Sequence, residues 1–335
     1  MAEKKALSKE EIYKEAVERF SQSAGVSYNE QKVEIARVYK KRTPEEVARY
    51  MLKNEISDSD ILMIHAIHML GFATIEGVMI MLNALKEKHP NIIYPNGSDK
   101  EGVSQRLYAC TEAGLIGKIC HRFPDDSLIK FYYVVDNGFE MIRKRLMKRV
   151  YGDAYLGATN ITDMCGFIGN SIVTQYLLSK VSHLDWSMNF RTKDMRFLTK
   201  KCTPLITHTL YFKNEEGEGM YLVEPMFLEH NSSIITEKDL YSRRTEKIKE
   251  LYKWSMMAEA EGYAYKIIFV CENLKNALKI ADIVEDKAPD IAEKILFTSP
   301  DVIRPFSKKG LLDYSCFCVS KSDGKRLLTF GNLDI

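Results

Sequence analysis

Residues 100–138 read KEGVSQRLYACTEAGLIGKICHRFPDDSLIKFYYVVDNG, and this stretch decides the fold of the first half of the chain. Val103, Leu107 and Cys110 fall at i, i+4 and i+7, one face of a helix over roughly Lys100–Ala113, and Gly114 is placed to end it. Two short β-prone runs follow, Leu115–His121 and Phe131–Val135, around a polar tip, Arg122–Lys130, that contains Pro124-Asp125-Asp126. That composition predicts a β-hairpin. Asp136-Asn137-Gly138 then opens another helix, expected over Gly138–Val150 with Phe139, Ile142, Leu146 and Val150 on one face.

Upstream, Ser57-Asp58-Ser59-Asp60 caps the apolar run Ile61–Leu70, and Gly71 follows as its terminator. Thr74 opens a second helix carrying Val78, Ile80, Met81 and Leu85, and Asn91–Asp99, with Pro95, Asn96 and Gly97, reads as a turn. Three helices, a hairpin and a further helix is the order of a winged helix-turn-helix, expected over residues 56–155. The phrase Tyr132–Gly138 also resembles the Tyr-x-Leu-Thr-x-x-Gly phrase that often follows the wing in such domains, with Val134 and Val135 in the places of Leu and Thr. Residues 1–55 are expected to form a polar helical arm. Its helix starts are Ser8-Lys9-Glu10-Glu11, a capping-box pattern, and Thr43-Pro44-Glu45-Glu46, with Pro at the first helical position.

The periodicity breaks at residues 151–160, the expected boundary. A linking helix, capped by Asn160 or Thr162, should run to about Lys180. Beyond it, Leu205–Phe212 and Met220–Leu228 flank the turn Asn214–Gly219 as an antiparallel hairpin. A helix over Glu237–Glu259 spaces Leu240, Arg244, Ile248, Leu251 and Ser255 on one face. Tyr265–Val270 reads as a buried strand, Leu274–Val284 as a helix, Ile295–Thr298 as a strand, and Ser315–Val319 with Leu327–Phe330 as a closing hairpin. The expected class is α+β: a winged helix-turn-helix with a helical arm, then a mixed α/β domain over residues 156–335.

The chain has 335 residues, 45% of them hydrophobic and 28% charged, enough apolar matter for two real cores. No apolar run approaches the ~18–20 residues of a bilayer-spanning helix, and the charged start reads as neither leader nor anchor, so a cytoplasmic protein without membrane contact is expected. The 7 cysteines are scattered with no Cys-x-x-Cys, the pattern of buried thiols in a reducing compartment. Net charge is only +2, yet Met141–Val150 holds five basic residues and no acid. No Gly-x-x-x-x-Gly-Lys-Ser/Thr or Gly-x-Gly-x-x-Gly phosphate loop occurs, so no nucleotide cofactor is expected.

Taken together, the halves resemble the replication-relaxation family of plasmid and mobile-element proteins and its relatives encoded beside conjugative relaxases. The residues carrying the resemblance are Val103–Ala113, Ile116–Asp136, Arg243–Trp254, Lys266–Val270 and Ile295–Asp301, within a span of residues 58–320. The resemblance implies a C-terminal domain of the restriction-endonuclease-like, PD-(D/E)xK, fold. Nucleases of that fold need an Asp on one hairpin strand and Glu-x-Lys on the next, the carboxylates holding Mg²⁺. Here the first position falls near Pro204-Leu205, and Val223-Glu224-Pro225-Met226 puts Met226 in the place of the Lys, leaving Glu224 with Glu229 five residues on. A degenerate, non-cleaving domain is therefore expected, with no metal site.

The expected DNA-binding residues are Lys100, Ser104, Gln105 and Arg106 on the third helix, Arg122 and Lys130 at the wing, and Arg143, Lys144 and Lys148 on the following helix. A third helix of this kind lies in the major groove, where Arg pairs bidentately with guanine and Gln with adenine. Arg145 and Arg149 complete the basic helix, and Lys193, Arg196, Lys200 and Lys201 form a second basic stretch. Asp125 and Asp126 at the wing tip oppose phosphate. His65 and His68, three apart without other ligands, read as packing residues. The expected function is non-enzymatic: double-stranded DNA binding that supports replication or conjugative mobilisation of a plasmid or mobile element. A relaxase or replication protein is the expected partner, and a homodimer is compatible with the sequence. The alternatives are a winged-helix transcription regulator, or a nuclease whose unorthodox metal site uses Glu224 and Glu229.

Overall fold

The computed structural model describes Lys14, Val17 and residues 36–38, 40–53, 55–88, 99–122, 128–146, 161–180, 185–189, 208–214, 217–228, 237–300, 316–322 and 325–331. The fold is mixed α and β, with one 3-stranded and one 7-stranded sheet among these residues. The capping box at Ser8, the wing tip at 123–127, the boundary at 151–160 and the basic stretch 193–201 lie outside them, as do Lys148, Pro204, Leu205 and Glu229.

In chain order the N-terminal half runs β1 (Ala36–Val38), α1 (Pro44–Leu52), α2 (Asp58–Leu70), α3 (Ile75–Lys88), α4 (Lys100–Glu112), β2 (Ile116–Arg122), β3 (Leu128–Val134) and α5 (Asp136–Leu146). The arm is not helical throughout, because β1 pairs antiparallel with β2 and makes the hairpin a three-stranded sheet. Thr43 caps α1 with a capping box completed by Glu46. Arg42 then donates from Nε to the Glu112 carbonyl at 3.2 Å, and Lys40 pairs with the Glu112 carboxylate at 3.1 Å. Two cations thus meet the carboxyl end of α4, where the helix leaves its carbonyls unpaired. Gly114, at φ 72°, ends that helix; a Cβ there would lie 2.6 Å from the Lys40 carbonyl oxygen.

Helix α2 is apolar on nearly every side, the mark of a helix enclosed by its neighbours. Ile61, Met63, Ile64, Ile67 and Leu70 are all fully buried. The turn after it joins the sheet, since Ala73 and Tyr132 exchange backbone hydrogen bonds of 2.9 and 2.8 Å.

The second half begins with α6 (Ile161–Lys180) and continues β4 (Asp185–Asn189), β5 (His208–Asn214), β6 (Gly217–Pro225), α7 (Glu237–Ala260), β7 (Ala264–Val270), α8 (Leu274–Lys287), a 3₁₀ turn (Pro289–Lys294), β8 (Ile295–Thr298), β9 (Cys316–Ser322) and β10 (Lys325–Gly331). The strands lie in consecutive order, β6, β7 and β8 parallel and every other neighbouring pair antiparallel. Each parallel step needs a crossover, and α7 and α8 supply them. Leu240, Arg244, Ile248, Leu251 and Ser255 of α7 are all buried, the one face expected of them. On that side of the sheet Phe269, Phe297, Phe317 and Phe330 form a ladder with ring centroids 5.5 to 5.8 Å apart across β7 to β10.

Helix α6, the expected linking helix, packs against both halves. Toward the sheet, Gly169 lies against Pro300, Phe227 and Val270, and Gly166 lies against Pro225. Toward the N-terminal half it fastens the turn after α2. Ser171 Oγ donates to the Leu70 carbonyl at 2.6 Å and accepts from the Phe72 N–H at 3.3 Å. Gln175 Oε1 accepts from the Thr74 hydroxyl at 2.8 Å and the Thr74 N–H at 3.2 Å, while its Nε2 donates to the Phe72 carbonyl at 3.2 Å. Gly77 makes room for that side chain, because a Cβ there would lie 1.9 Å from Gln175 Oε1.

Candidate functional site

Helix α4 is capped by Asp99, whose Oδ1 accepts from the Gly102 N–H at 2.8 Å. Its inner face is Val103, Leu107 and Cys110, all buried. Its outer face presents Glu101, Gln105 and Tyr108, with Ser104 half-buried beside them. Tyr108 is 68% exposed and had no role in the sequence reading, although helical spacing three residues beyond Gln105 was the signal for it. Lys100 stands exposed with its Nζ 2.6 Å from Glu76 Oε1, and that hydrogen bond raises its pKa.

Arg106 does not face outward to read a base. Its Nε donates to Asp60 Oδ1 at 2.8 Å, and its Nη2 donates to Asp60 Oδ2 at 2.5 Å and to the Glu55 carbonyl at 2.8 Å. Asp60 is fully buried and closes the capping box of α2 by accepting from the Ser57 N–H at 2.7 Å. The hydrogen bonds to Asp60 hold the guanidinium further above its ordinary pKa. A fork engaged on a buried carboxylate is a clamp between α4 and α2, since leaving that carboxylate unpaired is costly.

The hairpin register places Arg122 opposite Leu128 and Lys130 opposite Cys120, with Lys130 exposed two pairs in from the end of the ladder. Along α5, Arg143, Lys144 and Arg145 are all exposed, but each has a carboxylate neighbour. Arg143 and Lys144 lie 2.8 and 3.7 Å from Glu140, and Arg145 lies 3.9 Å from Asp58. Exposed pairs like these are worth little in water and yield readily to a phosphate. Of the nine expected DNA-binding residues, Ser104, Gln105, Lys130, Arg143 and Lys144 lie at or near the surface. Lys100 is exposed and paired, and Arg106 is structural.

A second polar group lies at the carboxyl ends of β6, β7 and β8, where open α/β sheets place their ligand sites. Glu224 is fully buried on β6, and Lys247 of α7, also buried, stands 3.2 Å from its Oε1. Met226, two residues beyond Glu224, is buried in the core. Nearby, Arg244 Nε donates to the Phe227 carbonyl at 3.0 Å, and the Leu228 N–H donates to Glu272. Ser299 Oγ lies 3.3 Å from the Glu272 carbonyl. All these side chains are buried, and the α6 glycines pack on the adjoining strand ends, so the group is a sealed charge network.

His68 is buried with its ring edge-on to Phe139 at 5.5 Å, and burial, aided by nearby His65, lowers its pKa to about 4. Among the described residues no three of His, Cys, Asp and Glu gather as a metal site, and no helix is long and apolar enough to cross a membrane. No family model, curated protein or solved structure matches the chain.

Proposed function

We propose that the chain is a cytoplasmic, non-enzymatic protein that binds double-stranded DNA through its N-terminal half and supports replication or conjugative mobilisation of a plasmid or mobile element. The observation that carries this reading is the setting of α4. It is the third of three packed helices, followed by a hairpin that the α2–α3 turn joins at Ala73 and Tyr132, and its outer face carries Gln105 and Tyr108. This arrangement supports a winged helix whose third helix enters the major groove. Gln105, Ser104 and Tyr108 meet base edges there, Arg106 holds the helix at its angle, and Lys130, Arg143 and Lys144 meet phosphates.

In the second half, a helix, a three-strand antiparallel meander, a crossover helix and a parallel strand support the endonuclease-like reading. Glu224 is held by Lys247 inside the core, away from substrate, which favours a domain without cleavage chemistry that serves as a platform for a relaxase or replication protein. Fluorescence anisotropy with a labelled duplex, at two salt concentrations, tests the reading. Binding that weakens steeply with salt, and at least fivefold in the Gln105→Ala/Tyr108→Ala double variant, is expected. Equal affinity in that variant assigns duplex binding elsewhere, and no binding at low salt removes it.

A further inference from the structure

The seven-stranded sheet ends at β10, whose outer edge has no partner strand among the described residues. An open edge strand is a template for another strand unless it is short, bent by a bulge, interrupted by Pro or guarded by charge along its length. β10 lacks these devices over most of its length. It runs 7 residues, Lys325–Gly331, in unbroken register with Ser322–Cys316 of β9, with no Pro and with cations only at its first two positions. The opposite edge strand, β4, has 5 residues and begins at Asp185.

The register fixes which backbone groups this edge offers. Only two residues separate Ser322 from Lys325, so theirs is the hydrogen-bonded pair that closes a hairpin. Alternation from that pair turns the N–H and C=O of Lys325, Leu327, Thr329 and Gly331 toward β9, and those of Arg326, Leu328 and Phe330 outward. Leu328 is the middle residue of the strand and of the outward set. A second copy laid antiparallel about a twofold axis at Leu328 therefore matches every outward donor with an acceptor: Leu328 meets its own copy, and Arg326 meets Phe330 in both directions.

The side chains agree with that alignment. It sets Lys325 opposite Gly331 and Arg326 opposite Phe330, so no cation position faces another, whereas a parallel pairing would stack each on its like. On one face Leu327, 51% exposed, falls opposite the exposed Thr329 of the second copy. On the other face the phenylalanine ladder stops at a half-buried ring, Phe330, 5.6 Å from Phe317, with half-buried Leu328 on the same side. A second copy continues that apolar floor across the axis.

We propose that two copies of this chain pair along β10, antiparallel about Leu328, and so join their seven-stranded sheets into one. The contact is isologous, closing a twofold dimer and leaving no free β10 edge to propagate. It goes beyond the DNA reading and uses none of the residues assigned to it.

Sedimentation velocity of the full chain, at concentrations rising to about 200 μM, tests the pairing, and the mass should rise from one chain to two. Leu327→Glu/Thr329→Glu sets acid opposite acid at both flanking pairs and should weaken the dimer about tenfold or more. Leu327→Glu/Thr329→Lys sets acid opposite cation and should keep the affinity within about threefold. Both double variants alter exposed side chains, and circular dichroism checks that each is folded. Mild oxidation should link Leu328→Cys to its own copy, because directly opposed Cα atoms lie about 5.5 Å apart, within reach of a disulfide. Lys325→Cys should not link to its own copy, since those positions lie ~20 Å apart along the paired strands. Peptide mass mapping distinguishes the new bond from any formed by the native cysteines, and this measurement decides the matter should a double variant fail to fold. Three outcomes overturn the proposal: a monomer at every concentration, a dimer equally tight in both double variants, or a dimer that does not cross-link at position 328. None of them touches the duplex measurement, which depends on α4.

Discussion

Arg106 and Asp60 form a two-pronged ion pair, with Nε to Oδ1 at 2.8 Å and Nη2 to Oδ2 at 2.5 Å, between a helix proposed to touch DNA and the first turn of α2, where Asp60 is fully buried. Asp60 simultaneously caps its own helix through the Ser57 N–H. One carboxylate therefore sets both where α2 begins and how α4 lies on it.

Arg106→Ala should destabilise the fold by roughly 3 kcal/mol, because it strands a buried carboxylate. Arg106→Lys should recover only part of this, since an ammonium cannot reproduce the fork. Urea unfolding followed by circular dichroism measures both. A loss under about 0.5 kcal/mol for Arg106→Ala would mean that Asp60 is solvated or otherwise satisfied. Any DNA-binding loss in this variant must be corrected for folding before it is assigned to base contact.

Glu224 and Lys247 allow a sharper comparison, because both are buried. Lys247→Met and Glu224→Gln should each cost about 3–5 kcal/mol, and the double variant should cost clearly less than the sum. Additive losses in a double-mutant cycle would show that the two charges are not coupled. If Mg²⁺-dependent cleavage of a duplex is found and vanishes in Glu224→Gln, the network is catalytic and the non-enzymatic reading fails.

His68 makes stability pH-dependent. Its folded pKa of about 4 lies below the free value of 6.5, so the unfolded chain binds a proton that the fold refuses. The stabilisation is fully present above pH 6.5 and is lost as pH falls from 6.5 through about 4, by at most ~1.4 kcal/mol per pH unit. Denaturation midpoints across that window should fall less steeply in His68→Leu than in the parent. Equal slopes would show that His68 titrates normally.

Gln175 joins the two halves, and its removal should be felt in both. Gln175→Ala leaves the buried polar groups of Phe72 and Thr74 without it, at about 1–3 kcal/mol for each group unsatisfied. Gly77→Ala, which should gain up to ~1 kcal/mol in a free helix, is expected instead to destabilise, because the new Cβ meets Gln175. Combining the two should relieve that clash. Calorimetry reads the energies, and two separate unfolding transitions in the parent would contradict a shared core.

Local order was written in short-range patterns. Ser57 with Asp60, Thr43 with Glu46, Gly71 and Gly114 mark helix ends through contacts between residues three or four apart, and the helices begin and end there. The face Leu240–Ser255 of α7 and the strand Ile295–Thr298 were likewise legible, because burial imposes its period on neighbouring residues. Partnerships across long separations were not. β1 and β4 are short strands whose pairing depends on a distant neighbour. Arg106 reads as a surface base-reader until α2 brings Asp60 beneath it, 46 residues away. Lys247 reads as one more helix cation until α7 lays it on Glu224, and Ser171 and Gln175 look like linker residues until α6 docks about 100 residues from its partners. A helix or turn is set by contacts along the chain. Whether a charged side chain faces solvent or a buried partner is a difference of several kcal/mol that arises only once distant elements remove it from water.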